Sequence, residues 1–185
     1  MRLFVGIPLS EAVHRELAAV VKRLRPRAGN LRWTAPESWH ITLQFLGETA
    51  RDGYECVVAR LGEVRVAPVP IRLGALGAFD RAGVVHVDVE VTRELAQLQQ
   101  RVMAATVQCG FAADARPFHP HITLARAKGR QRGFGANTFG SLLEGTPVFS
   151  SFVAPEFVLY ESFLEPHGAR YEVRARFMLN GPAGS

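Results

Sequence analysis

A chain of 185 residues suffices for one full-sized domain or two packed lobes that share a core. With 48% hydrophobic and 21% charged residues it reads as an ordinary globular protein, which excludes a disordered tail or linker. A net charge of +5 favours anionic partners such as RNA and phosphate esters; nearly all of the positive charge is arginine, the lysines being Lys22 and Lys128 alone.

The chain opens on Leu3 to Ile7, a short β-rich run that stops at Pro8 and soon meets Glu11, so it reads as a buried first strand and not as a leader. Ser10 has the chemistry of a helix N-cap. Val13, Leu17, Val20, Val21 and Leu24 follow at helical spacing, and Pro26 ends the run. Trp39 to Leu46 reads as a strand, and Asp52 to Val64 as a helix with Val57, Val58 and Leu61 on one face. Val69 to Phe79 and Val84 to Val91 read as neighbouring strands joined by a turn at Asp80-Arg81-Ala82-Gly83. In the second of these, Val85, Val87, Val89 and Val91 alternate with His86, Asp88 and Glu90. That places His86 on the polar, solvated face, a face that could also line a cleft.

Thr92 caps a third helix running to about Cys109 on Leu95, Leu98, Val102 and Val107, and His121 to Ala127 is again a strand. Residues 128–137 form a basic, glycine-containing loop in which Lys128, Arg130 and Arg132 stand close together, and a short helix is expected near Thr138 to Leu143. Ser151 to Leu164 and Arg170 to Leu179 read as closing antiparallel strands, and 181–185 as a frayed tail. No linker separates two domains. The expectation is an α+β fold with mostly antiparallel sheets and helices on the outer faces.

Two cysteines, Cys56 and Cys109, suggest neither a disulfide framework nor a zinc cluster, and a reducing cytoplasm is the expected location. No stretch approaches the roughly 18 apolar residues that a membrane helix needs, and no membrane association is expected.

The tetrapeptide His40-Ile41-Thr42-Leu43 recurs as His121-Ile122-Thr123-Leu124. In a strand, side chains alternate between faces. Each segment therefore buries an aliphatic pair and presents an imidazole beside a hydroxyl. Two imidazoles and two hydroxyls around one cleft are what metal-free opening of a phosphodiester requires. One imidazole takes a proton from the attacking water and the other gives one to the leaving ribose oxygen, on opposite sides of phosphorus. Hydroxyls donate to the non-bridging oxygens. Zinc is the chemical rival, since His119-Pro120-His121 offers two imidazoles, but no Cys cluster or His-Glu-x-x-His helix completes such a site.

At these residues the sequence resembles the 2H phosphoesterase superfamily, and most of all its RNA 2',3'-cyclic phosphodiesterase branch, the 2'-5' RNA ligase (LigT-like) family. Trp39 to Glu48 and Phe118 to Arg126 carry the likeness, with support from Arg2 to Ile7, Leu159 to Ser162 and Gly168 to Tyr171. The resemblance implies a pseudo-symmetric bilobal fold, read here as one domain over 1–180, with the active-site cleft between lobes. It implies hydrolysis of RNA or nucleotide 2',3'-cyclic phosphate ends to 2'-phosphates, with His40 as general acid and His121 as general base. Thr42 and Thr123 would hold the phosphate, with no metal and no cofactor.

Arg126 matches a phosphate-contacting arginine of the family, although simple alternation places it on the face of Ile122 and Leu124; it reaches the cleft only if the strand bulges near Ala125. Phe45 occupies the same offset after His40 and is a candidate base-stacking residue. His119 is expected behind the site, and His14 and His167 at the surface. A monomer is expected. Two other readings remain open: 2'-5' RNA ligation, the same chemistry reversed, and a non-catalytic RNA- or nucleotide-binding module.

Overall fold

A computed structural model describes residues 1–128, 147–165 and 168–181. Expectations for Arg130, Arg132, His167 and the helix near Thr138 fall outside the described residues. Of the tail only Gly181 is described. It is not frayed: its N–H donates to Val66 O at 3.0 Å, and its backbone packs so closely on Val66 that a Cβ would lie 2.6 Å from the Val66 nitrogen.

The described residues form ten strands and three α-helices: β1 (Arg2–Pro8), α1 (Glu11–Leu24), β2 (Leu31–Trp33), β3 (His40–Glu48), α2 (Arg51–Leu61), β4 (Val69–Ile71), β5 (Leu73–Phe79), β6 (Val84–Val89), α3 (Arg93–Val107), β7 (His121–Ala127), β8 (Phe152–Ala154), β9 (Glu156–Glu165) and β10 (Gly168–Met178). Ser10 and Thr92 cap α1 and α3 as expected, their hydroxyls accepting from Val13 N and Leu95 N. The fold is α+β, with two four-stranded antiparallel sheets. One has the order β10-β9-β1-β3 and the other β2-β7-β6-β5; β4 and β8 form a small third pair. A single cluster of buried side chains runs through both lobes, from Leu3, Ile7 and Leu17 to Leu98, Ile122 and Leu124.

Several expectations are corrected. The apolar run from Val69 to Phe79 is two strands, because Val69–Ile71 pairs with β8 whereas Leu73–Phe79 pairs with β6. β2 was not foreseen; three residues are too few to show alternation. Val107, assigned to the apolar face of α3, is 46% exposed. Cys56 and Cys109 are joined in a disulfide, Cα–Cα 5.8 Å, because α2 packs against α3 and its C-terminal turn. Such pairing depends on tertiary contact across a sequence separation of 53 and leaves no local signal. The disulfide removes the cysteine argument for a reducing compartment. Among the described residues no helix is long and apolar enough to cross a membrane.

Candidate active site

The two motif strands are built alike. β3 and β7 show the same succession of burial along His40–Phe45 and His121–Arg126: half-buried, buried, half-buried, buried, buried, exposed. Strict alternation breaks at the same place in both. Opposite β1, Thr42 pairs with Gly6 and Gln44 with Val5, leaving Leu43 as an extra residue. Opposite β6, Thr123 pairs with His86 and Ala125 with Val85, leaving Leu124 extra. A one-residue bulge reverses the parity of everything after it. Arg126 thereby joins His121 and Thr123 on the cleft face, and Phe45, 69% exposed, joins His40 and Thr42.

The bulge in β7 is fastened by Thr34, the residue that follows β2. The Thr34 hydroxyl donates to the main-chain oxygens of Thr123 and Leu124, both at 2.9 Å, and accepts from Trp39 Nε1 at 2.9 Å. Thr34 N–H also donates to Leu124 O at 2.9 Å. These bonds satisfy carbonyls that the disrupted ladder cannot.

Each histidine is aimed by the same device. His40 Nδ1 lies 2.7 Å from Ser38 O and His121 Nδ1 lies 2.8 Å from His119 O. A carbonyl only accepts, so Nδ1 carries the hydrogen in both rings and Nε2 is left with the lone pair when the ring is neutral. His40 Nε2 stands 3.0 Å from Thr42 Oγ1, which donates to the neutral ring and accepts from the charged one. Close approach of the His40 ring to β1 requires a glycine there: a Cβ on Gly6 would meet Ile41 O at 2.9 Å and His40 Cδ2 at 3.4 Å.

β3 and β7 lie against each other across the cleft, and the charges of His121 and Arg126 both bear on His40. Burial lowers the His40 pKa to about 4, helped by those two positive neighbours and opposed by the Ser38 carbonyl. Burial also lowers His121; the His119 carbonyl and the Asp88 carboxylate oppose the shift, while the His119 and Arg126 charges add to it. Arg126 and Arg2 pull down the Tyr171 hydroxyl, which burial pushes up by more. Tyr171 therefore belongs to the same cleft, reached from the opposite sheet.

The surroundings of the two rings differ. His40 sits in an aromatic box, with Phe4 at 4.7 Å, the edge of Tyr171 at 5.1 Å and Tyr160 at 5.8 Å between ring centroids. Burial raises the Tyr160 hydroxyl to about 12. His121 instead borders polar groups. Asp88, its direct partner on β6, has Oδ1 3.0 Å from both His86 Nε2 and His119 Nε2. Phe79 stacks on His86 at 4.0 Å and meets His119 and His121 edge-on.

His86 is thus not solvated: it is 2% exposed, with Phe79 covering the polar face of its strand. His14 is not a free surface residue either, for its half-buried ring stacks on Trp39 and burial lowers its pKa. The ligand atoms of His86, Asp88 and His119 all lie within 4.8 Å of one another, a spacing that could admit a metal ion, although the Nε2 atom of each imidazole already has the carboxylate as partner. Asp88, Tyr171 and Thr34 were missed by sequence reasoning. Asp88 shares parity with His86 on β6, and that was the one available signal.

A sequence model of the 2'-5' RNA ligase superfamily matches residues 10–148. The chain belongs to this superfamily. Among relatives in the 2'-5' RNA ligase superfamily, it is 29% identical to the RNA 2',3'-cyclic phosphodiesterase of Bacillus subtilis, over 96% of each chain. It is also 29% identical to that of Archaeoglobus fulgidus, over 93% of this chain and 97% of the other. The crystal structure of Escherichia coli LigT complexed with 3'-AMP superimposes with a TM-score of 0.79 at 27% identity, over 96% of each chain. A LigT structure complexed with ATP is similar, with a TM-score of 0.78 at 26% identity, over 96% of this chain and 97% of the other.

Proposed function

We propose that this superfamily member hydrolyses RNA 2',3'-cyclic phosphate ends to 2'-phosphates by metal-independent acid–base chemistry between His40 and His121. The observation that carries the reading is the pair of matching Nδ1 bonds to main-chain oxygens, which leave Nε2 as the proton-transferring atom of each ring, that of His40 beside Thr42 Oγ1. Water attacks phosphorus in line with the bond to O3'. His121 Nε2 takes the water proton, the P–O3' bond breaks, and His40 Nε2–H delivers its proton to O3'. Thr42 and Thr123 donate to non-bridging oxygens, Arg126 offsets their charge, and exposed Phe45 offers a face to a base. The names of the curated relatives and the nucleotide complexes of the LigT neighbours support the same substrate class.

His40 must be protonated to act as the acid, yet without substrate burial holds it near 4. An anionic phosphate within contact of the ring favours the charged form and raises that value. The substrate thus helps to charge its own acid.

The test is turnover of an oligonucleotide ending in 2',3'-cyclic phosphate in excess chelator, with the product end identified. Activity that chelator abolishes, or a 3'-phosphate product, would overturn the scheme. Salt-sensitive RNA binding without hydrolysis of any cyclic phosphate would point instead to a binding module. Localisation in the cytoplasm, a monomeric state and a single domain over 1–180 are part of the same proposal.

A further inference from the structure

Arg32 occupies the middle of β2, directly opposite Arg126 on β7. Directly opposed residues of an antiparallel pair point to the same face, with Cβ atoms about 5 Å apart. The flanking pairs, Leu31 with Ala127 and Trp33 with Ala125, point the other way, where Leu31 and Ala125 are buried. Arg32 therefore projects from the sheet face that carries His121, Thr123 and Arg126. Both arginines are exposed, and neither has an acidic partner among the described residues. Elsewhere on the surface Arg15, Arg51, Arg60 and Arg72 each pair with a glutamate.

Like charges set directly opposite weaken a strand pair, so the arrangement must be held by something else. Thr34 clamps one end of β2 through its hydroxyl and its N–H, and Lys128 N–H donates to Asn30 O at 3.0 Å at the other. Two arginines set opposite each other on clamped strands, with no acidic partner among the described residues, are placed to receive phosphate. Arg126 shares the face of His121 and Thr123, and its charge bears on His40, His121 and Tyr171, so the proposed reaction assigns it to the cyclic phosphate. Arg32 is one strand farther from the histidines.

We propose that Arg32 is a second phosphate subsite, taking the phosphodiester on the 5' side of the cyclic end, so that the protein prefers oligonucleotides to cyclic mononucleotides. This rests on the phosphodiesterase reading above. A cyclic mononucleoside phosphate has a single phosphate and leaves Arg32 unused; any longer RNA brings the next phosphate to it.

The experiment compares wild type with Arg32→Gln on adenosine 2',3'-cyclic phosphate and on a pentanucleotide with the same end. The expected result is a ten- to hundredfold rise in KM for the pentanucleotide, roughly what loss of one charged hydrogen-bonded contact produces. Its kcat is retained, and both constants for the mononucleotide are unchanged. The slope of log(kcat/KM) against log salt falls by about 0.7, the loss of one contact on single-stranded RNA, and Arg32→Lys restores it. Equal losses on both substrates would place Arg32 on the reacting phosphate and overturn the subsite; so would an unchanged pentanucleotide KM and salt slope. If wild type turns over neither substrate, the phosphodiesterase reading fails. The subsite is then judged by binding of a 2'-phosphate-ended RNA, where an unchanged salt slope in Arg32→Gln rejects it.

Discussion

The strands carrying His40 and His121 share a backbone plan down to the position of the extra residue, yet their surroundings are chemically opposite. His40 is walled by Phe4, Tyr160 and Tyr171, with no carboxylate among the described residues acting on it. His121 has Asp88 across the strand pair and two further imidazoles beside it. A duplicated backbone supplies two equivalent imidazoles; the side chains around them make the proton affinities unequal. In the free protein burial depresses His40, the proposed acid, so the proposed division of labour requires the substrate phosphate to raise it.

The largest effect expected is on removal of either ring. His40→Ala and His121→Ala should each lower kcat about 10²–10⁴-fold on a cyclic-phosphate oligonucleotide. If one variant keeps wild-type turnover, the two strands are not partners in one reaction.

The second effect concerns pH. The folded pKa of His40, about 4, lies below its ordinary value of 6.5, so the unfolded chain binds the extra proton between those values. The stability this ring contributes is complete above pH 6.5 and is lost as pH falls through 4, a span worth about 3 kcal/mol. Urea melts across this window should show the loss in wild type and a shallower one in His40→Gln. In kinetics, kcat/KM reports the free enzyme and should peak below pH 6.5, whereas kcat, reporting the complex, should peak at higher pH. A kcat/KM optimum above pH 7.5 would contradict the aromatic box as the source of the shift.

Next come the glycines beneath the two clusters. Gly6→Ala places a methyl group 2.9 Å from Ile41 O, next to His40, and Gly77→Ala places one 2.7 Å from His86 Nε2. Each should cost about 1–3 kcal/mol of stability as an overpacking change. Gly6→Ala should also disturb the His40 resonances in NMR spectra, and Gly77→Ala those of His86 and His121. Cross-effects between the lobes would blur the distinction drawn here.

The smallest effect is the sharpest discriminator. Asp88→Asn keeps an acceptor oxygen but removes the charge that raises His121. NMR titration should show the His121 pKa fall further and that of His40 unmoved. Equal movement of both would mean that the carboxylate field does not separate the rings.

Most of this architecture could be read from the sequence, because a strand's period of two places His and Thr on one side and Ile and Leu on the other regardless of what packs around them. Arg126 shows where that reading stops. Its parity disagreed with the role expected for it, and only register against β6 shows the bulge that turns it to the cleft face. His86 misled for a related reason: alternation gives the face of a side chain but not whether an aromatic ring, here Phe79, covers that face. The Cys56–Cys109 link and the Arg32–Arg126 pair are both meetings of distant segments, and β2 is too short to announce itself. What escaped was therefore the cross-chain contacts, which include the device that aims Arg126.

That extra residue fixes how the two strands respond to a change of length. Removing Leu124 alone would close the bulge and keep Ala125 opposite Val85 and Arg126 opposite Val84, so Ala125 stays inward and Arg126 outward, and what is lost is the packing of a fully buried leucine. A replacement at the Phe45 or Arg126 offset keeps its outward aim whatever its chemistry. Deleting the extra residue should therefore cost stability and leave the aim of the far ends unchanged, and altered substrate preference is best sought by exchange at those ends.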